Sequence, residues 1–193
     1  MKKIGIYGGT FDQIHFGHLI TAQSVLEIRK LDKILFIPSF ISPLKTDRIS
    51  SSPRDRINML KLAIKDIPHL DYTDMEIKKK NISYTIETIK ELRKTYKNIE
   101  LIIGYDNLLV FDKWKNPDEL LKLVTLIVLR RKVDNEKNHR NKYFKHAIFV
   151  DTPLVDIRGT DIRKRVRSGK SINFLVPQKV MAYIYKQNLY KEK

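Results

Sequence analysis

The chain has 193 residues, of which 42% are hydrophobic and 31% charged, and it contains no cysteine. This composition excludes wholesale disorder and fibrous architectures, and the missing thiols exclude disulfides, thiolate metal sites and a cysteine nucleophile. The length fits one domain, residues 1–193, with one compact core. No apolar run approaches the roughly 20 residues that cross a bilayer, and no signal-peptide core begins the sequence, so we expect a cytoplasmic protein.

The formal net charge of +16 is the most unusual global number, because 38 Lys and Arg face 22 Asp and Glu. Positive potential of this size favours nucleic acid, an anionic membrane or a small phosphorylated ligand. Lys, Ile and Asn recur along the whole chain, however, so a general compositional bias explains the charge at least as well. Charge alone therefore selects no partner.

Apolar runs of strand length alternate with stretches of helical period. In chain order, strands are predicted at 4–7, 34–37, 70–75, 101–103 and 124–129, and helices at 17–30, from Pro53 to near Pro68, at 83–96, from Asn116 onward, at 160–167 and at 177–188. Asn116 and Thr160 are predicted to cap the helices that follow them. Residues 130–142 have almost no apolar side chains and are predicted to form a solvated connection. The alternation predicts an α/β fold, a doubly wound and mostly parallel sheet with C-terminal helices.

The junction between the first strand and the first helix carries the strongest chemical signal. It reads Gly8-Gly9-Thr10-Phe11-Asp12-Gln13-Ile14-His15-Phe16-Gly17-His18. Glycines at this place allow a sharp turn and expose main-chain N–H groups, and the start of a helix adds its dipole, so the segment suits an anion such as phosphate. It contains neither the G-x-G-x-x-G of dinucleotide-binding folds nor the Lys-Ser/Thr end of a P-loop.

Two histidines follow these glycines. His15 and His18 are three residues apart, and helical spacing places both on the face that points toward the glycine loop. A transferring phosphate fits between two such rings. A zinc site is the weaker alternative, because Asp12 or a remote acid would have to supply the third ligand and no cysteine is available.

The string His15-Phe16-Gly17-His18 resembles the His-x-Gly-His signature of a nucleotidyltransferase superfamily, and the whole chain is most similar to the bacterial nicotinate-nucleotide adenylyltransferases. Four further stretches match in order: Pro38 with Lys45, Ser83-Tyr84-Thr85, Gly104-Tyr105-Asp106 with Trp114, and Thr160-Asp161-Ile162-Arg163. The resemblance implies a Rossmann-like nucleotidyltransferase fold. It also implies adenylyl transfer from ATP to nicotinate mononucleotide, which gives nicotinate adenine dinucleotide and pyrophosphate in NAD biosynthesis.

Roles for individual residues follow from this resemblance. Catalysis is assigned to His15, His18 and Arg163; ATP binding to these three with Gly8, Gly9, Thr10, Phe11, Asp106 and Thr160; and mononucleotide binding to Thr10, Lys45, Tyr84, Thr85 and Trp114. Trp114 would stack on the nicotinate ring, and free N–H groups at Tyr84 and Thr85 would receive its carboxylate. The protein itself is expected to supply no metal ligand, and Mg²⁺ is expected to accompany ATP.

The chain departs from the family pattern at several positions. Gln13 and Ile82 replace prolines, and Leu44 replaces a histidine. More important, Arg158-Gly159 stands where two serines usually precede Thr160, so a hydroxyl that would touch phosphate is missing.

Two alternative functions stay open. One is an adenylyltransferase for nicotinamide mononucleotide or phosphopantetheine. The other, from a different class, is a basic nucleic-acid-binding module, for which the interleaved Tyr183, Tyr185, Lys186 and Tyr190 would be the evidence. Helical spacing explains these tyrosines more simply, so neither nucleic acid nor membrane is the expected partner, whereas a homo-oligomer stays open.

Overall fold

The computed structural model describes residues 2–43, 51–130 and 141–191. Its six strands are β1 (Lys3–Gly9), β2 (Lys33–Pro38), β3 (Leu70–Tyr72), β4 (Asn98–Gly104), β5 (Thr125–Arg130) and β6 (Ala147–Asp151). Its α-helices are α1 (Phe16–Ile28), α2 (Pro53–Ile64), α3 (Met75–Lys79), α4 (Thr85–Leu92), α5 (Tyr105–Leu109), α6 (Pro117–Leu123), α7 (Gly159–Arg167) and α8 (Gln178–Lys186). Short 3₁₀ helices cover Phe111–Lys113 and Lys142–His146.

The strands form one sheet in the order β3-β2-β1-β4-β5-β6, and every neighbouring pair is parallel. The chain therefore builds outward from β1 in one direction and then from β4 in the other. This arrangement confirms the predicted doubly wound α/β fold. The winding direction changes between β1 and β4, and sheets of this kind bind ligands in the crevice at the carboxyl ends of such a strand pair.

Helices cover both faces of the sheet. On one face, buried side chains such as Val25, Met59 and Val180 join the strands to α1, α2, α7 and α8. On the other face, Ile89 and Leu120 join the strands to α4, α5 and α6. Strands covered on both sides need continuous apolar sequence, which accounts for the run in β5. Within the described residues, no helix is both long and apolar enough to span a bilayer.

Of the two predicted helix caps, Asn116 occupies the N-cap position of α6 but makes no side-chain capping bond, and Thr160 is wrong. Asn116 precedes α6 with a left-handed backbone (φ 50°), and its side-chain amide donates to Glu119 (3.3 Å) instead of capping the helix. The N-cap residue of α7 is Arg158, and Thr160 is already the second residue of that helix. Most of the predicted solvated connection, residues 131–140, lies outside the described residues.

Candidate active site

The loop after β1 turns at the carboxyl edge of the sheet. A Cβ atom on Gly8 would meet no atom within 4 Å, so a ligand has room to approach the main chain there. A Cβ on Gly9 would lie 3.0 Å from Phe11 Cζ. The Phe11 ring is 3% exposed and packs edge-on against Tyr7 and Phe36, with centroid distances of 5.7 and 5.4 Å. The core thus fixes the loop, and its main chain stays accessible at Gly8.

His15 and His18 stack on one another at the start of α1. Their ring centroids are 3.7 Å apart and their planes differ by 22°. His15 occupies the N-cap position and is 6% exposed, whereas the Phe11 ring meets His18 edge-on at 5.2 Å. A Cβ on Gly17 would lie 3.1 Å from the His15 ring, so glycine at that position makes room for the stack. The two imidazoles therefore lie together beside the glycine loop.

His15 is neutral in this environment. Burial, assisted by the positive charge of Arg163, lowers the pKa of His15 from its ordinary value of 6.5 to about 4. The ring therefore offers a phosphate oxygen an N–H donor and no full positive charge at pH 7. Its Nδ1 atom is buried and has no hydrogen-bond partner among the residues that the structure describes. This atom faces Gly17, where a Cβ would lie 3.1 Å from it.

The free energy of unfolding is expected to fall as the pH drops from about 6.5 to about 4. In this range the unfolded chain protonates His15 and the folded chain does not, so the unfolded state binds more protons and acid favours it. One pKa unit corresponds to about 1.4 kcal/mol, so the full loss is about 3 kcal/mol. Urea unfolding between pH 4 and 8 measures it. A His15→Gln variant should have the flatter profile, and identical profiles would contradict the assignment.

Arg163 reaches from α7 to the loop that precedes α1. Its Nη1 donates to the main-chain oxygen of Asp12 and lies 3.7 Å from the Asp12 carboxylate atom Oδ2. Gly159 permits this approach, because a Cβ there would lie 3.2 Å from Nη1 and 3.3 Å from the Asp12 main-chain oxygen. Gly159, one of the two residues that depart from the family pattern before Thr160, therefore leaves room for the Arg163 guanidinium.

Two further residues of the expected ATP site lie at the rim. Asp106 is exposed in the first turn of α5, directly after β4, and so stands at the change in winding direction beside β1. Thr160 is exposed in the first turn of α7, three residues before Arg163. Both positions adjoin the crevice at the carboxyl edge of the sheet.

Three of the residues expected to bind the mononucleotide, Tyr84, Thr85 and Trp114, lie close together. Tyr84 is the N-cap residue of α4 and Thr85 its first residue, so the free N–H groups of that helix begin there, as predicted. Lys115 Nζ lies 4.3 Å from the centroid of the Tyr84 ring, and Trp114 is the preceding residue. The Trp114 ring packs against Phe111 (4.9 Å), and its Nε1 is buried without a hydrogen-bond partner among the described residues. Lys45 lies outside those residues.

Arg56 is a buried cation that the sequence analysis did not identify. It lies on α2 and is 1% exposed; its Nη1 donates to the main-chain oxygens of Thr10 and Ser39 (both 2.7 Å) and its Nη2 to that of Phe40 (3.4 Å). Burial lowers its pKa from the ordinary value, and the negative charge of Asp12 opposes that effect. Its spacing of three from Met59 places it in the apolar stripe of α2, which was the available signal.

Further hydrogen bonds link the residues held by Arg56 to those expected to bind the mononucleotide. The Phe40 N–H donates to Ser83 Oγ (2.9 Å), and the Ser83 N–H donates to the main-chain oxygen of Ile41 (2.9 Å). Ser83 directly precedes Tyr84, so hydrogen bonds run from Thr10 through Arg56 and the end of β2 to the start of α4. The structure therefore ties the glycine loop to the region of Tyr84 and Thr85.

Comparison with known proteins identifies the family. The family model described as cytidylyltransferase-like matches residues 6–165. A Hydrogenobaculum sp. protein named as a probable nicotinate-nucleotide adenylyltransferase is 42% identical over 188 residues, which are 97% of each chain. A Clostridium tetani protein of the same name is 41% identical over 200 residues, covering 99% of this chain and all of the relative. The chain belongs to the nicotinate-nucleotide adenylyltransferase family.

The adenylyltransferase fold is also seen in solved structures. Plasmodium falciparum nicotinic acid mononucleotide adenylyltransferase, complexed with NaAD, superposes with a TM-score of 0.77 at 20% identity and 98% coverage of both chains. At that identity the likeness establishes the fold. Membership of this family makes the protein a nucleotidyltransferase, which favours the enzyme over a basic nucleic-acid-binding module.

Proposed function

We propose that the protein transfers the adenylyl group of ATP to nicotinate mononucleotide, which gives nicotinate adenine dinucleotide and pyrophosphate, a step of NAD biosynthesis. The observation that carries this proposal is the stacked pair His15 and His18 beside a glycine loop that Arg163 also reaches. Imidazole and guanidinium nitrogens thus lie beside a loop whose main chain is open at Gly8, which suits phosphoryl transfer. Relatives named for this activity match over the full chain.

In this reaction an oxygen of the mononucleotide phosphate attacks the α-phosphorus of ATP. The bond between that phosphorus and the oxygen bridging to the β-phosphate breaks, and pyrophosphate leaves with the bonding electrons. No covalent bond to the protein forms, so catalysis rests on position and charge stabilisation. We assign the α-phosphate to His18 and the adjoining phosphates to His15 and to the main chain of Gly8, Gly9, Thr10 and Phe11. Arg163 and the start of α7 at Thr160 face the β- and γ-phosphates.

The remaining residues bind the two nucleosides. Asp106 accepts hydrogen bonds from ribose hydroxyls of ATP at the carboxyl edge of β4. Trp114 stacks on the pyridine ring, and the free N–H groups at Tyr84 and Thr85 bind its carboxylate, which favours the acid over the amide. We assign Lys45 to the mononucleotide phosphate, and Thr10 to both substrates.

Mg²⁺ is proposed to enter with ATP. Within the described residues, no group of three or more His, Cys, Asp or Glu side chains could hold a metal ion. We assign the ion no protein ligand; oxygen atoms of the phosphates and of water would hold it. Bound in this way it offsets the charge of the triphosphate.

Pyrophosphate release with ATP and a panel of acceptors tests the function. We expect turnover with nicotinate mononucleotide to exceed that with the amide mononucleotide strongly, because only the acid offers a carboxylate to the N–H groups at the start of α4. Phosphopantetheine is the third acceptor. Equal or better use of the amide would refute the roles of Tyr84 and Thr85, and no release with any acceptor would refute the proposed function.

Replacing Trp114 by alanine should weaken binding of nicotinate mononucleotide and leave binding of ATP nearly unchanged. Stacking of an aromatic side chain on a base-like ring contributes about 1 to 3 kcal/mol, which corresponds to a rise in KM for nicotinate mononucleotide of about fivefold or more. The KM for ATP should change less than twofold. Steady-state kinetics with each substrate varied in turn measures both constants, and parallel rises in both would count against stacking.

A further inference from the structure

The Asp12 carboxylate is held by donors from two distant parts of the chain. Its Oδ1 accepts hydrogen bonds from the Ser51 N–H (3.1 Å), the Ser51 hydroxyl (2.6 Å) and the Tyr190 hydroxyl (2.7 Å). Tyr190 lies beyond the end of α8, 178 residues from Asp12. The Asp12 side chain is 5% exposed, so these bonds are shielded from water. Three donors on one carboxylate oxygen leave that group little freedom to rotate.

Arg163 approaches the other oxygen of the Asp12 carboxylate, Oδ2. It donates to the Asp12 main-chain oxygen, but its Nη1 stays 3.7 Å from Oδ2, well beyond the 2.7–2.9 Å of a charge-assisted hydrogen bond. The carboxylate and the guanidinium are thus near neighbours that do not close into a tight ion pair. The bonds from Ser51 and Tyr190 explain why, since they hold the other carboxylate oxygen, Oδ1, and so restrict the movement of Oδ2 toward Arg163.

The Tyr190 hydroxyl is a dependable donor. Burial, with the negative charge of Asp12 as a second cause, raises the pKa of Tyr190 above its ordinary value of 10, so the hydroxyl keeps its proton at neutral pH. The residues Leu189 and Tyr190 pack against the buried cluster on the α1 and α2 face of the sheet, which fixes the ring.

We propose that Tyr190 is a positioning residue for the triphosphate side of the active site. Its hydroxyl holds Asp12, and Asp12 held in this way keeps Arg163 at the glycine loop without capturing the guanidinium donors. A carboxylate that keeps only its two bonds from Ser51 is held less firmly, so it would move closer to Arg163 and compete with phosphate for the same N–H groups. This inference rests on the proposed function, in which Arg163 binds the β- and γ-phosphates of ATP.

Tyr190→Phe removes the hydroxyl and keeps the ring. We expect it to raise the KM for ATP about fivefold to tenfold, the scale of one ordinary hydrogen bond, because Tyr190 acts on ATP only through Asp12 and Arg163; kcat and the KM for nicotinate mononucleotide should change less than twofold. Tyr183→Phe is the matched control. The Tyr183 hydroxyl, on α8, donates to Asp55 (2.8 Å) and accepts from Asn58 (2.9 Å), so its loss should change all three constants less than twofold.

A double-mutant cycle with Arg163→Ala separates positioning from a general structural effect. Once the guanidinium is gone, Tyr190→Phe should raise the KM for ATP less than twofold further. The inference is overturned if Tyr190→Phe alone leaves this KM unchanged, or if its effect is equally large in the Arg163→Ala background. If Arg163→Ala itself has no effect, the assignment of Arg163 fails and the inference with it. Turnover of the wild type with nicotinate mononucleotide tests the proposed function separately.

Discussion

Replacing His18 by alanine is expected to lower kcat by about 10²- to 10³-fold and to leave the protein folded. A donor aimed at charge that develops in the transition state contributes on this scale in oxyanion-type sites. His18 is the more accessible ring of the stacked pair, since His15 is buried beneath it at 3.7 Å between centroids. Pyrophosphate release with both substrates saturating measures the loss.

The control for this experiment is another histidine. His146 is exposed at the end of the 3₁₀ helix before β6, so His146→Ala should retain wild-type kcat. His18→Gln keeps an N–H donor of similar reach and should recover part of the activity. A kcat for His18→Ala within tenfold of the wild type would show that His18 does not stabilise the transition state.

Replacing Arg56 by methionine should lower the free energy of unfolding by about 3 kcal/mol. Methionine fills much of the volume but donates nothing, so the main-chain oxygens of Thr10 and Ser39 lose their donor inside the protein, and a buried acceptor left unpaired costs about 1 to 3 kcal/mol. Urea unfolding at pH 7 measures the change. Arg56→Lys keeps one charged donor and should be intermediate, whereas a loss below about 1 kcal/mol for methionine would show that the carbonyls find other partners.

The sequence predicts the α/β architecture because the relevant patterns are local. Continuous apolar runs such as 124–129 and the helical stripe of α2 each lie within a short window, and the resulting order of elements restricts the topology. Strand β6 is not among the predicted strands although residues 147–150 are apolar, because so short a run does not by itself identify a strand; in the structure only Val150 of this edge strand is buried. Helices α3 and α5, with five residues each, are too short to display a helical period.

In the candidate site too, the sequence predicts the features that are local in the chain and misses the contacts between distant residues. The glycine loop and the histidine pair occupy eleven consecutive residues, so their proximity follows from their closeness in the chain. Helical spacing does not produce the stack, because His15 is the N-cap residue and has an extended backbone (φ −145°, ψ 170°). The contacts of Arg56 with Thr10 and of Tyr190 with Asp12 join residues 46 and 178 positions apart, which only the packed chain brings together. Thr160 is not the cap of α7 because that helix already begins at Gly159. Gly159 has no side chain, which leaves space for Arg163.

The guanidinium of Arg56 donates hydrogen bonds to two chain segments, the turn at Thr10 and Ser39, the residue that follows β2. Neither segment can shift without breaking its hydrogen bond to Arg56, so a ligand that orders one segment also orders the other. By thermodynamic reciprocity, if bound ATP raises the affinity for the second substrate, the second substrate raises the affinity for ATP by the same factor. In the proposed function, Arg56 would then link the loop assigned to ATP with the segment that leads to the mononucleotide residues.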